Sequence, residues 1–439
     1  MSLVIVAVCI LLLILLITWA NWNPFLAFLV ICLLGGWWLG MPLGQITLSI
    51  KKGIGDMLGE LVILISLGAM LGKLVAESGA AQKIAQVLLH TFGKKYFQWA
   101  LMVTGFIIGI PLFYNVGFVL MIPLIFSVVY ETRLPAVYVG VPLLAALSVT
   151  HGFLPPHPSP TALVTQFEAN LGLTLLYGLL IAIPSVVVAG PVFARTLKNL
   201  HAVPLSTFTP KEITPDQLPG SVNSILTSLL PVLLLVITAS LPFLFPALQN
   251  RPWLQFCSDP IVVLLAALLL ATYTLGIHRG KTLKMLMTSY GESVKDIALI
   301  FLIVAGAGAL KQLLIDSGVS REIGLSLQSL AINPLILGWL IAAIIRVCLG
   351  SATVAGLTAA GIVAPVVIAN PQIDRNLMVL SIGAGSLMFS HVNDSGFWLF
   401  KEYFNLSIKQ TLRSWSLMET LVSAMGLIGV LILQFILSK

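Results

Sequence analysis

His151, His157, Ser159 and Thr161 lie in one short polar island, HGFLPPHPSPT at 151–161, and His391, Asn393, Asp394 and Ser395 in a second, SHVNDSGFW at 390–398. Both interrupt long apolar stretches. Side chains of these types can hold a hydroxylated solute, bind an anion or relay a proton, histidine being the one whose charge changes nearest neutrality. In the second island Asn393, Ser395 and Gly396 predict a turn that exposes backbone amides at the start of a helix through Phe397 to Phe404, a setting that favours negative charge. Asp394 would cap that helix or take up a proton, and the two roles are compatible. In the first island Pro155, Pro156, Pro158 and Pro160 cannot donate backbone hydrogen bonds and argue against a regular helix. Its histidines would then point at a solute or sit satisfied in the packing, with His157, between prolines, the stronger functional candidate.

A third pair of interruptions is GIPLFYNVGF at 109–118, holding Tyr114 and Asn115, and RVCLGSATVAG at 346–356, holding Arg346, Ser351 and Thr353. Arg346 is an arginine within an apolar run, and its planar guanidinium matches a carboxylate. It would meet a bound anion or pair with an acidic side chain or a backbone carbonyl of the protein. Ser351 and Thr353, beside Gly350, offer hydroxyls or a small-residue helix contact. Ionisable groups inside an apolar span cost about 2.5–3.5 kcal/mol on insertion scales, so Glu60, Asp296 and Glu419 join the candidates. Glu60 and Asp296 would be mates or helix ends.

The elements that position these groups follow from composition. The chain is 58% hydrophobic and 9% charged, against about 25% charged for soluble domains, which makes it an integral membrane protein. Apolar runs near the spanning length of about 20 residues recur at 3–18, 24–40, 61–76, 97–113, 116–130, 136–150, 173–194, 225–246, 260–277, 297–314, 334–349, 352–369, 377–390 and 415–437. The short, Gly- and Pro-rich ones suit re-entrant hairpins. No Lys or Arg precedes 3–18 and no clear cleavage site follows it, so it is expected to remain a helix. A net charge of +7 is spread through flanking loops, which argues for topology signals and against a nucleic-acid surface. Arg195, Lys198, Lys211, Arg279, Lys281 and Lys284 mark two loops expected on the cytoplasmic side. Cys9, Cys32, Cys257 and Cys348 form no CxxC pair and support neither a disulfide framework nor a metal site. The histidines and Asp394 do not have HExxH spacing, and AGAGAL at 305–310 lacks the GK[ST] of a P-loop. No cofactor is implied.

The chain repeats itself. NPFLAFLVICLLGGWWLG at 23–40 parallels DPIVVLLAALLLATYTLG at 259–276, LGAMLGKLVAESG at 67–79 parallels GAGALKQLLIDSG at 306–318, and AALSVTHG at 145–152 falls opposite AGSLMFSHV at 384–392. One unit used twice accounts for the ordered polar landmarks. The division expected is an N-terminal helix at 1–22, a first repeat at 23–195, a polar linker at 196–222, a connecting helix at 223–258, a second repeat at 259–408 and a C-terminal helix at 409–439. Transporter repeats are often inverted and meet at a midplane site built from broken helices. That would put a loop at 41–56 outside and its counterpart at 277–295 inside.

ALSVTHGFLPPHPSPTA at 146–162 and FSHVNDSGFWLFKEYFNLS at 389–407 resemble the gluconate:proton symporter (gluconate permease) family, as do LGSATVAGLTAAG at 349–361 and KQTLRSWSLMETL at 409–421. The resemblance runs nearly end to end. It implies an all-α polytopic protein of the bacterial inner membrane, with inverted repeats and re-entrant hairpins as in the wider ion-transporter superfamily, working as a homodimer by elevator-type displacement. It implies uptake of a sugar acid such as gluconate together with a proton, or of D-serine or another small hydroxylated acid. The family turn FFEVG or FYEVG carries a carboxylate, whereas this chain has Phe113, Tyr114, Asn115, Val116 and Gly117. An amide cannot take up a proton, so coupling is expected to pass to Asp394, His391 or His151. His157, Asn393 and the amides around Ser395 would hold the solute, with Arg346 as counter-charge and Tyr114, Asn115, Ser159, Thr161, Ser351 and Thr353 beside it. An intramembrane hydrolase lacks an activated nucleophile, and a channel would not saturate.

Overall fold

The computed structural model describes residues 2–110, 114–155, 157–200, 205, 217–248, 251–319, 322, 332–370 and 372–438, apart from some side chains within helices, that of Glu60 among them. Among the described residues the regular structure is helical. The first half contains α1 (Ser2–Thr18), α2 (Pro24–Trp38), α3 (Leu43–Glu77), α4 (Ala80–Gly109), α5 (Tyr114–Thr132), α6 (Ala136–Phe153), α7 (Pro158–Gln166) and α8 (Leu171–Val187). After α9 (Ser221–Leu244) and α10 (Pro252–Ser258) come α11 (Pro260–Ala271), α12 (Leu283–Asp316), α13 (Pro334–Leu349), α14 (Ala352–Ala369), α15 (Arg375–Gly385), α16 (Ser395–Tyr403), α17 (Ile408–Thr411) and α18 (Leu417–Leu437). Counting the turns that extend some of them, seven of the described helices are long and apolar enough to cross a membrane.

Amide-proline and acid-proline pairs set where several helices start. Asn23, Asp259 and Asn333 accept the first free amides of α2, α11 and α13, at 3.0 Å from Phe25 N, 2.8 Å from Ile261 N and 2.9 Å from Leu335 N. The proline that follows each occupies the first helical position, where a missing N–H costs nothing.

Two helices depart from the sequence reading. Neither 41–56 nor 277–295 is a loop, because α3 begins at Leu43 and α12 at Leu283, and the apolar windows 61–76 and 297–314 are their C-terminal halves. The cause is a helical stripe. Ile46, Ser49, Gly53 and Met57 are buried at spacings of three and four, as are Leu286, Ser289, Ser293, Ile297 and Ile300, a period that an average over polar and apolar residues conceals. With 35 and 34 residues, each helix is roughly 50 Å long at 1.5 Å per residue, well beyond the bilayer core.

These two helices pack antiparallel. Ser49 Oγ near the start of α3 donates to Asp316 Oδ2 at the end of α12 at 2.6 Å, while Lys281 Nζ, just before α12, lies 3.7 Å from the carboxylate of Glu77 at the end of α3. Between those ends the backbones close on glycine: a Cβ on Gly308 would stand 2.6 Å from Gly53 O and from Met57 Cβ. Small residues at such crossings let helices approach closely. The remaining core is centred on α5 and α6, which are buried along most of their length, as expected of helices that are apolar all round.

The first island is also more helical than its prolines suggested. His151 and Gly152 belong to the last turn of α6, and Pro158 and Pro160 fall in the first turn of α7, where no donor is needed. Only the connection between these helices is irregular, and Pro156 within it lies outside the described residues.

Overpacking the glycine crossing is expected to cost about 1–3 kcal/mol or more. Gly308→Val should lower the unfolding midpoint of the detergent-solubilised protein, whereas Gly55→Ala, whose Cβ meets nothing within 4 Å, should not. Equal midpoints for the two variants would refute the close approach.

Candidate functional site

The end of α13 and the start of α16 meet at a buried ion pair. Arg346 lies in the last turn of α13, and its Nη2 donates to Asp394 Oδ2 at 2.5 Å, with only 5% and 11% of the two side chains exposed. The same Oδ2 accepts from Ser390 Oγ, and Oδ1 accepts the Gly396 amide at 3.0 Å, so Asp394 is both ion-pair partner and cap of α16. Removing one member of such a pair leaves a buried charge uncompensated, at a cost of about 3–5 kcal/mol.

The second island also closes α13. Helix ends leave carbonyls without intrahelical donors, and Asn393 Nδ2 donates to Val347 O at 2.7 Å and Cys348 O at 3.0 Å while His391 Nε2 lies 2.8 Å from Val347 O. Gly350 turns the chain toward α14 with φ +73°, and a Cβ there would collide with the Asn393 carbonyl. Glycine is required on both counts. Ser351 then caps α14 by accepting the Val354 amide at 3.4 Å. In the first half His157 Nε2 lies 2.7 Å from Gly109 O, the last carbonyl of α4.

A cavity of about 350 Å³ opens against these ends. Tyr114, Asn115, His151, Arg346, Ser351, Thr353, Asn393, Asp394 and Ser395, all singled out in the sequence, line it. The structure therefore brings the two islands and the third pair of interruptions to one place. His157, Ser159, Thr161 and His391 are not among the lining residues: the two histidines face the helix-end carbonyls and Ser159 packs against Gly356 of α14. Asp296 is exposed on α12.

Other lining residues carry weaker sequence signals. Lys311, Ala307 and Met57 enter from α12 and α3, next to the glycine crossing, and Ser148, Trp415 and Glu419 from α6 and the start of the C-terminal helix. Lys311 stands in GAGALKQLLIDSG inside an apolar run, so the cost of a buried charge that marks Arg346 marks it too. Trp415 lies in a π-helical turn at Leu412–Ser416, a local widening common at functional sites with no simple sequence signature. Its indole donates to Ser390 Oγ at 2.7 Å and its ring stacks on Phe400 at 5.4 Å, while Ser416 Oγ donates to Ser390 O. Tyr114 approaches Trp415 at 5.5 Å between ring centroids.

Several buried polar atoms here have no hydrogen-bond partner among the described residues: Arg346 Nε and Nη1, Tyr114 Oη, His151 Nδ1, Asn393 Oδ1 and Glu419 Oε2. Buried polar groups are normally satisfied, so this cluster is equipped to bind something polar. No group of three or more His, Cys, Asp or Glu among the described residues could hold a metal ion.

Residues 1–436 match the family model described as GntP family permease. The chain is 47% identical over 439 residues, the full length of both chains, to a high-affinity gluconate transporter of Escherichia coli K12 and equally to the Gnt-II system L-idonate transporter of the same organism. It is 42% identical to a gluconate permease of Bacillus subtilis 168 across 99% of this chain and all of that one. With a family match from the first residue to the 436th and relatives this similar over their entire length, the chain belongs to the GntP permease family of multi-pass proteins of the bacterial inner membrane.

Proposed function

We propose that this protein imports a sugar-acid anion such as gluconate as a secondary active transporter. The observation that carries the reading is Arg346. One of its terminal nitrogens is held by Asp394, Nε and Nη1 have no partner among the described residues, and the side chain lines a cavity whose volume falls in the usual small-molecule range of about 300–1,000 Å³. Asn115, Ser351, Thr353, Asn393 and Ser395 supply amides and hydroxyls suited to a polyol chain. The gluconate and idonate names of the relatives agree with that chemistry.

Uptake is coupled to protons on this reading. A sugar acid arrives as an anion, against which the membrane potential works at about 2.3 kcal/mol per charge per 100 mV. One proton per anion makes entry electroneutral.

The architecture proposed is two inverted repeats, 23–195 and 259–408, separated by the linker 196–222 and the connecting segment 223–258 and flanked by helices at 1–22 and 409–439. Support for inversion comes from α3 and α12, which hold corresponding places in the two halves, have nearly equal length and run antiparallel. The nine-residue helices α7 and α16 are the proposed tips of re-entrant hairpins. Elevator-type movement would carry the Arg346 and Asp394 side of the cavity past the α3 and α12 pair, in each protomer of a homodimer.

Three measurements test this. Proteoliposomes containing the wild-type protein should take up radiolabelled gluconate saturably, with L-idonate competing more strongly than D-serine. Arg346→Gln should weaken gluconate by about two orders of magnitude, in line with 2–5 kcal/mol for truncating one side of a buried charge pair, and unchanged affinity would sink the assignment. Single cysteines at Gly40 and Gly280, in a background free of other cysteines, should be labelled from opposite faces of the membrane; labelling from one face would remove the inversion.

A further inference from the structure

We infer that Glu419 is the group that carries the coupled proton, an inference that rests on the symport reading above. The cavity wall holds two cations, Arg346 and Lys311, and two carboxylates, Asp394 and Glu419. Their formal charges cancel. An anion entering this enclosure leaves one uncompensated negative charge unless a proton enters with it, and a lone buried charge is strongly disfavoured.

The two carboxylates differ in what already occupies their oxygens. Asp394 receives Arg346 Nη2 and Ser390 Oγ on Oδ2 and the Gly396 amide on Oδ1. A proton there would have to displace a donor and loosen the ion pair that joins α13 to α16. Glu419 is 2% exposed and presents Oε2 without a partner among the described residues. A proton can settle on that atom with no bond broken.

The charged and titratable groups facing Glu419 are His151 from α6, Tyr114 from α5, Arg346 from α13, Asp394 from the turn before α16 and Lys311 from α12. Arg346 and Asp394 act on it electrostatically with opposite sign. The histidines are less suited to carrying this proton, since His391 is turned to Val347 O and His157 to Gly109 O. His151 lines the cavity, but a proton on it would create a second buried cation beside Arg346, whereas a proton on Glu419 removes a buried charge.

In the cycle, Glu419 gains one proton from the outer solution as the anion binds beside Arg346. Both leave on the inner side, and Glu419 returns as a carboxylate. The pair Arg346 and Asp394 stays closed throughout.

The test uses full-length protein in proteoliposomes and radiolabelled gluconate. An inside-alkaline gradient of about one pH unit supports about tenfold accumulation per proton carried. Wild-type protein should reach that ratio, whereas Glu419→Gln should exchange gluconate across the membrane but bring the accumulation ratio down to about one, a loss of about tenfold. A Glu419→Gln variant that still accumulates like wild type overturns the inference, as does a folded, monodisperse one that has lost exchange as well. Should Glu419→Gln fail to fold, Glu419→Asp decides: a displaced pH profile of uptake supports the inference and a superimposable one overturns it. Wild-type vesicles that exchange gluconate but ignore the gradient would instead sink the symport reading, a failure seen before any variant is made.

Discussion

A single buried contact, Arg346 to Asp394, organises the middle of this protein. It bridges the C-terminal end of one helix and the N-terminal end of another, so each charge also meets the helix terminus that suits it, cation at carbonyls and anion at amides. The neighbouring bonds extend that junction. Ser390 links Asp394 to Trp415, and Asn393 and His391 close the carbonyls that α13 leaves open. The carbonyls of Arg346, Val347 and Cys348 thus all find donors at this helix end, as irregular structure inside a bilayer would require.

Most residues of the candidate site are legible because polar residues in an apolar chain are costly and therefore conspicuous. Arg346, Asp394 and His151 were visible by charge or ring chemistry, Gly350 and the prolines by their effect on the backbone. The division of labour among them was not. His157 and His391 look like solute ligands in one dimension, but both turn to helix-end carbonyls, and only the path of α4 and α13 determines that. Lys311 carries the same signal as Arg346, a cation in an apolar run, but its string stood out only for its similarity to another.

The fold was legible to a similar degree. Span positions fall almost where expected, and the Asn-Pro and Asp-Pro pairs account for several of the helix starts, since capping is local chemistry. The long helices α3 and α12 were cut short because an average over a window reports how apolar a stretch is and says nothing about which side is apolar. Their partly polar ends are helical because Ser49, Gly53 and Ser293 face inward on a stripe, and tertiary packing of that stripe does the rest. The π-helical turn before α18 is a further case, set by the fit of Trp415 against Phe400 and Ser390.

Gly350 has a consequence for how such a pocket can change its cargo. Its left-handed turn lies against the Asn393 carbonyl and leaves no space for even a methyl group, so the rim that holds Arg346 and Asp394 cannot be retouched residue by residue. Asn115 and Thr353 are placed differently: they line the cavity from helix starts and, unlike Asn393 and Ser351, are not the side chains that cap or close those helices. On the proposed reading, an engineer seeking a new solute should randomise those two positions and leave the turn alone.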